Sequence, residues 1–225
     1  MKQAIIDIGS NSIRLTLYET ENQSFRILFR EKIMAGLAGY VENGKLSAEG
    51  IECACAGLLT FRSILQTLEI GRVSVFATAS LRNISNTEQA LSVIRAATGY
   101  PVEVVSGEDE ALFGYAGAMR ELRPTSGAFL DIGGASTEIV TFDEGKPDDF
   151  ASFPIGSLSL YRRCVKKSCR AKALCHAFGR IYQKQSTSAK ARRRRVRCLS
   201  ASEERCARHS DWHGTITGNP MTVTA

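Results

Sequence analysis

The sequence predicts an α/β fold that contains two copies of one unit, each with three antiparallel strands followed by a helix. IIDIGSNSIRL at residues 5–15 is matched by LDIGGASTEIV at residues 130–140, with Asp7 and Asp131 in equivalent places. Apolar segments separated by turn residues follow both copies, as in a strand meander. Repetition of a supersecondary unit along a chain indicates a duplicated fold.

The first copy gives a regular series of predicted elements. Three strands at 3–8, 12–19 and 24–34 come first. Ser47 is predicted to cap a long helix that runs to about Glu69, because serine before a periodic apolar segment is a typical helix start. The remaining predicted elements are a strand at 73–79, a helix at 86–97, a strand at 101–107 and a helix at 108–122.

The second copy repeats the order but is shorter. GAFLDIG, ASTEIVTFDEG and DDFASFPIG are predicted strands, and a helix is predicted to begin near Gly156. We therefore expect a first half at 1–123, the start of a second half at 124–167, and a separate basic tail at 168–225. The second half is expected to be incomplete.

The tail differs from the rest in charge and in apolar content. Residues 1–161 hold 13 Lys/Arg and 20 Asp/Glu, a net charge of −7, whereas residues 162–225 hold 16 and 3, a net charge of +13. Residues 168–225 contain only eight Ile, Leu, Val, Phe or Met. We expect this segment to be poorly ordered, or to be an out-of-frame or degraded gene end.

Several classes of protein are disfavoured by composition. No apolar run approaches the roughly 18 residues of a membrane span, and the N-terminus is typical of a strand rather than of a signal peptide. Seven cysteines, an odd number, and the lack of a signal favour a reducing, cytoplasmic setting. The cysteines and histidines of the tail lack the spacing of a zinc site, and Cys53 and Cys55 lie on different faces of a predicted helix.

The repeated motif has the composition of an anion-binding turn. Glycine permits a close backbone approach, and serine and asparagine add donors beside backbone N–H groups. An aspartate at the end of the preceding strand suits such a site when a divalent cation lies between the aspartate and a phosphate. The alternative is a pair of ordinary hairpin turns, which the repeated spacing disfavours.

Four stretches, and a further stretch at 153–161, give the chain a specific resemblance. They are DIGSNSIRL at 7–15, ATASLR at 77–82, SGEDEALFGYAG at 106–117, DIGGASTEIV at 131–140 and FPIGSLSLY at 153–161. They resemble the exopolyphosphatase / guanosine pentaphosphate phosphohydrolase (Ppx/GppA) family of the actin-like phosphotransferase superfamily. The resemblance covers residues 1 to about 165. It implies duplicated actin-like (ribonuclease H-like) halves with mixed β-sheets.

The resemblance also implies roles for individual residues. Glu110 would orient or deprotonate the attacking water, and Arg82 would bind phosphate. Asp7, Asp131 and Glu138 would be associated with Mg²⁺ or another divalent cation. The expected phosphate-binding residues are Gly9, Ser10, Asn11, Ser12, Gly133, Gly134, Ala135 and Ser136.

Simpler structural roles remain open for the charged residues. Glu108, Asp109 and Glu110 lie at a predicted helix start, where carboxylates are favourable. Arg82 could be a surface helix residue. Glu138 could face solvent, although strand alternation places it on the side of Ser136.

The expected activity is release of terminal phosphate from polyphosphate, guanosine pentaphosphate or both. The sequence does not separate these substrates. Alternatives are a truncated inactive member, an actin-like kinase, and a polyanion-binding protein that uses the basic tail. ARRRRVR at 191–197 has no interleaved aromatic residues, which disfavours a nucleic-acid role. A homodimer that protects an exposed sheet edge is also left open.

Overall fold

The computed structural model describes residues 1–22, 24–122 and 124–164, together with the backbone of two short strands near the C-terminus. A five-stranded mixed sheet forms the first half, in the order β3-β2-β1-β6-β7. Its strands are β1 Lys2–Ile8, β2 Ile13–Glu21, β3 Ser24–Ile33, β6 Val73–Ala77 and β7 Val102–Val104; the hairpin β4 Val41–Glu42 and β5 Lys45–Leu46 stands apart from it.

The first half is held together by one apolar core. Along β1 and β2 every second side chain is buried, which is the pattern of strands with one face on a core. The fully buried Phe61 and Leu58 belong to a long helix that packs in the same core. The helices of this half are α1 Ala48–Thr67, α2 Ala79–Arg82 and α3 Thr87–Thr98.

Two helix ends follow the expected local chemistry. The Ser47 hydroxyl accepts a hydrogen bond from the backbone N–H of Gly50, so serine caps α1 as predicted. Gly99 ends α3 with φ 74°, a left-handed conformation that glycine adopts without steric cost. The predicted start of α3 at residue 86 and its end near residue 97 are each within one residue of the observed bounds.

The second half begins with a three-stranded antiparallel sheet in the order β10-β9-β8. The predicted meander is therefore present in both copies. Ala111 and Tyr115 of a long helix pack against Val140 and Phe142 of this sheet, although the helix precedes the sheet in the chain. The elements are α4 Gly107–Leu122, β8 Gly127–Ile132, β9 Thr137–Asp143, β10 Lys146–Phe153 and α5 Ser157–Cys164.

Some features were not predicted from the sequence. These are the β4–β5 hairpin, a short 3-10 helix at Leu37–Tyr40 and the four-residue helix α2. Near the C-terminus, β11 Thr215–Thr217 pairs with β12 Thr222–Thr224. The rest of the 168–225 segment, with its predicted low order, lies outside the described residues. Within the described part of the chain, no helix has the length and apolar character needed to cross a bilayer.

Candidate active site

The first copy of the motif forms a tight turn between β1 and β2, here called loop 1 (residues 9–12). The Gly9 N–H donates to the Ser12 carbonyl at 3.0 Å. A Cβ on Gly9 would lie 3.0 Å from that carbonyl oxygen, which is a tight contact, so a larger residue would require the backbone of the turn to shift slightly. The Ser10 and Asn11 carbonyls accept from Ala38 and Gly36, both at 2.8 Å.

The second copy, loop 2 (residues 133–136), repeats this arrangement between β8 and β9. The Gly133 N–H donates to the Ser136 carbonyl at 2.9 Å. The Gly133 and Gly134 carbonyls accept from Ser157 and Leu158 at the start of α5, both at 2.9 Å. Both loops therefore direct carbonyls toward backbone donors outside the turn.

The N–H groups of the two loops remain available. Within the described ranges, no hydrogen-bond acceptor is paired with the N–H groups of Ser10, Asn11, Gly134 or Ala135. Consecutive free N–H groups in a turn form an anion-binding nest. The nests are adjacent, since a Cβ built on Gly134 would lie 3.4 Å from the Cβ of Ser10. The structure thus brings together the two loops that the sequence predicts as phosphate-binding.

Gly156 fixes loop 2 against α5. A Cβ at this position would lie 2.5 Å from the Ala135 nitrogen, the Gly133 oxygen and the Gly134 carbonyl carbon. These are backbone atoms, so the clash cannot be relieved by a side-chain rotation. The close approach of the loop 2 backbone therefore explains why a glycine stands at position 156 of the family-like FPIG stretch.

Arg82 and Glu110 form an ion pair at the cleft. Arg82 Nη1 lies 2.7 Å from Glu110 Oε2 and donates to the Val105 carbonyl at 2.9 Å. Their side chains are only 18% and 23% exposed, so Arg82 is not an ordinary surface helix residue. The segment is held to the end of β1 because the buried Ser80 hydroxyl donates to the Ile8 carbonyl at 2.5 Å.

The three acids at the start of α4 have different environments. The Ser106 hydroxyl accepts from the Asp109 N–H at 3.0 Å and donates to the Asp109 carboxylate at 2.7 Å, which caps the helix. Glu110 lies one residue further along and pairs with Arg82 instead. The capping role therefore belongs to Asp109, and Glu110 is directed into the cleft.

Glu138 is buried rather than exposed to solvent. Its residue exposure is 2%, and Ser152 on β10 donates to its Oε1 at 2.7 Å. Arg82 Nη2 lies 3.9 Å away. Burial raises the pKa of Glu138, against the effect of the hydrogen bonds from Ser152 and Ser136, and the charges of Glu110 and Asp131 raise it further.

Asp7 completes a cluster of mutually repelling acids. Burial raises the pKa of Asp7 to about 6; the Arg14 charge lowers it, and the Glu110 and Asp131 charges raise it. Asp131 is exposed at the end of β8. The cleft therefore contains acids from both halves of the protein, close to the free N–H groups of loops 1 and 2.

The acids do not form a closed metal site. Among the described residues, no three His, Cys, Asp or Glu side chains are grouped closely enough to hold an ion. Mg²⁺, however, is usually held by one or two carboxylates, water and substrate phosphates rather than by a full protein cage. One or two of the acids Asp7, Asp131 and Glu138, which lie beside the free N–H groups of the two loops, would fit this way of holding Mg²⁺ together with substrate phosphates.

The sequence prediction omitted residues that support the site. Ser152 contacts Glu138, and Arg14 lies opposite Asp7 in the β1–β2 register. Neither could be assigned before the strand register was known. A separate cavity of about 600 Å³ lies between the β4–β5 hairpin and helices α1 and α3, and none of the predicted site residues lines it.

Comparisons with known proteins agree with this geometry. The model of the Ppx/GppA phosphatase family matches residues 16–211, a range that continues past the last family-like stretch. The crystal structure of an Aquifex aeolicus Ppx/GppA family member is 28% identical, with a TM-score of 0.66, over 84% of this chain and 62% of that one. An exopolyphosphatase structure from Cytophaga hutchinsonii is 25% identical, with a TM-score of 0.73, over 82% and 60%.

The chain thus spans less than two thirds of the length of these solved relatives. The match to the family model nevertheless extends over most of the chain, and the solved relatives share its actin-like α/β fold. From the match and the repeated loops together, we conclude that the chain belongs to the Ppx/GppA phosphatase family.

Proposed function

We propose that the protein hydrolyses a terminal phosphoanhydride bond of inorganic polyphosphate, guanosine pentaphosphate or both. The observation that carries the proposal is the pair of adjacent loops whose N–H groups are free while their carbonyls are bound elsewhere. Glu110 and Arg82 lie at the same cleft. The reaction needs a carboxylate there to take a proton from water and a cation to neutralise phosphate charge. Phosphoryl transfer depends mainly on such positioning and charge stabilisation.

In the proposed reaction, the two loops hold the terminal phosphates and Glu110 orients a water. The water oxygen forms a bond to the terminal phosphorus, and the bond from that phosphorus to the bridging oxygen breaks. Glu110 accepts the proton of the water, and the bridging oxygen leaves on the shortened chain. Arg82 stabilises the negative charge that develops on the phosphate oxygens.

Arg82 holds Glu110 before substrate is present. The proposal therefore requires Arg82 to shift at least one N–H toward phosphate when the substrate binds. The same Nη1 also donates to the Val105 carbonyl, so the other N–H groups of the guanidinium are the ones that would turn toward phosphate. A divalent cation held by Asp7, Asp131 or Glu138 would neutralise phosphate charge when bound.

The compartment forms part of the proposal. Cys53 and Cys55 are unpaired in the described structure, and Cys55 is buried in the core. Free thiols are typical of a reducing compartment. We therefore place the activity in the cytoplasm.

The test compares phosphate release by the parent and by Glu110→Gln with Mg²⁺, using long-chain polyphosphate and guanosine pentaphosphate separately. Loss of a general base lowers rates roughly 10²- to 10⁴-fold, so release by the variant is expected to fall by at least about 10²-fold. Glu108→Gln, which removes a neighbouring carboxylate of the same helix turn, is the control and is expected to retain activity.

The outcomes also separate the alternatives. Release by the parent that survives in Glu110→Gln would contradict the assigned role, and no release by a folded parent would indicate an inactive member. Phosphate transfer to a hydroxyl or carboxylate acceptor without hydrolysis would indicate a kinase. Polyanion binding that disappears on deletion of residues 168–225, with hydrolysis unchanged, would assign binding to the tail.

A further inference from the structure

A row of charged side chains crosses the first sheet next to loop 1, and the proposed hydrolysis leaves its cations unused. Asp7 on β1 pairs in register with Arg14 on β2, and Arg14 pairs with Lys32 on β3. Arg30 points to the same side as Lys32, because residues two apart on a strand share a face. Arg14, Lys32 and Arg30 are all exposed.

The internal duplication shows which way this row faces. In the second half, the equivalent row is Asp131 on β8, Glu138 on β9 and Ser152 on β10. Glu138 and Ser152 lie at the cleft, beside Arg82 and Gly107. Arg14 and Lys32 occupy the corresponding places in the first half, so they lie on the side of its sheet that borders the cleft.

The three cations have no ion-pair partner at close range among the described residues, although the charge of Arg14 acts on Asp7 at longer range. Within the described residues, Arg14, Lys32 and Arg30 form no ion pair within 4.0 Å, whereas Arg26 further along β3 pairs with Glu19. The acid opposite Arg14 in the strand register is Asp7, at one end of the row. Strand alternation places Glu31, the neighbour of both Arg30 and Lys32, on the other face of β3.

Such an arrangement is costly without a ligand. Like charges directly opposite one another on neighbouring strands are destabilising, and Arg14 faces Lys32 in this way. The surrounding residues 1–161 carry a net charge of −7, so acids for pairing are abundant in this part of the chain. A row of unpaired cations beside two anion-binding turns is therefore best explained by an anionic ligand.

We propose that Arg14, Lys32 and Arg30 bind the non-terminal phosphates of a linear polyphosphate whose end lies in loops 1 and 2. This inference rests on the proposed function, since it extends the same substrate site outward along β3. A long chain carries charge far beyond the cleft and can contact all three cations. A nucleoside polyphosphate carries few phosphates, so the row favours linear polyphosphate as the substrate class.

The test measures equilibrium binding by calorimetry, with Glu110→Gln as the background so that the chain is not consumed. The double substitution Arg30→Gln with Lys32→Gln is compared with Lys45→Gln with Arg95→Gln, which removes two exposed cations from the β4–β5 hairpin and α3. The ligands are long-chain polyphosphate and tripolyphosphate, each measured at several salt concentrations.

The row variant is expected to bind long-chain polyphosphate roughly three- to tenfold more weakly than its background, with a smaller loss for tripolyphosphate. The dependence of affinity on salt should also become less steep, because fewer counterions are released. The control pair should bind like its background. Equal losses for both ligands, no loss for either, or an equal loss in the control pair would each overturn the proposal.

Hydrolysis by the otherwise unsubstituted chain separates this inference from the function on which it rests. If the parent releases no phosphate, the proposed function fails, while the binding comparison still decides whether the row holds a polyanion. If the parent hydrolyses polyphosphate and the row variant shows no chain-length-dependent loss of binding, only the present inference fails.

Discussion

At the residue scale, Asp7 shows how burial next to like charges makes the ionised form of a carboxylate unfavourable in the folded protein. Its pKa is about 6 in the folded protein and near 3.8 when unfolded, so folding favours the protonated form. The resulting stabilisation is fully present below pH 4 and is lost as the pH rises through 6. Ionised Asp7 therefore lowers stability at neutral pH, a cost that a site for a cation can tolerate.

This predicts that Asp7→Asn stabilises the fold at pH 8 relative to the parent, by roughly 2 kcal/mol more than it does at pH 4. The measurement is urea unfolding across this pH range with a chelator present, so that no divalent ion contributes. Asp143→Asn, which removes an exposed carboxylate at the end of β9, is the control. A stability difference between Asp7→Asn and the parent that does not change with pH would contradict the explanation.

Individual residues also show what the sequence could and could not predict. Glu138 was placed on the side of Ser136 by strand alternation, but its burial depends on β10, whose Ser152 reaches it from fourteen residues away. The ion pair between Arg82 and Glu110 joins residues from two helices that no local pattern connects. Local periodicity determines which face a residue occupies, whereas its partner depends on packing between elements.

At the element scale, the helix starts at the cleft perform separable structural and chemical tasks. Ser106 and Asp109 cap α4, and Glu110 in the same turn faces Arg82.

We predict that Ser106→Ala lowers the free energy of unfolding by about 1 kcal/mol, as loss of a helix cap usually does. Phosphate release at saturating substrate should be affected far less than in Glu110→Gln. Thermal unfolding and turnover measured on both variants check this; a loss of turnover as large as that of Glu110→Gln would assign Ser106 to the chemistry.

The contact between α5 and loop 2 gives a second prediction at this scale. Gly156→Ala places a methyl group 2.5 Å from loop 2 backbone atoms, so we expect the free energy of unfolding to fall by about 1–3 kcal/mol and phosphate binding to weaken. Gly117→Ala is the matched control, because open space surrounds that position in α4 and alanine favours a helix by roughly 0.5–1 kcal/mol. The measurement is urea unfolding with and without phosphate. Equal effects of the two substitutions would show that Gly156 does not hold the loop.

Elements with a strong periodic or capping signal could be predicted from the sequence, including both strand meanders, α1 and α3. The β4–β5 hairpin could not, because its strands have two residues each and are held by distant groups: Asn86 bonds both the N–H and the carbonyl of Leu46. The placement of α4 on the second sheet was likewise hidden, since its apolar positions are compatible with either half.

At the scale of the whole molecule, the relative position of the two halves determines whether both loops can hold one substrate. Ser10 in loop 1 accepts from Ala38, and the Ala38 carbonyl accepts from Arg162 on α5. The start of α5 in turn donates to the carbonyls of loop 2. A series of hydrogen bonds therefore connects loop 1 to loop 2 through Arg162, which sequence reasoning could not identify because its partner is 124 residues away.

Removing this connection should loosen the cleft without unfolding either half. We predict that Arg162→Ala increases hydrogen exchange at the Ala38 amide and weakens phosphate binding by roughly three- to tenfold, as expected for an exposed charged donor to a carbonyl. Arg162→Lys, which keeps the charge, should show smaller changes in both hydrogen exchange and phosphate binding. Arg95→Ala removes an exposed arginine of α3 and should change neither. Unchanged exchange at Ala38 in Arg162→Ala would show that the bond from Arg162 does not fix loop 1 to α5.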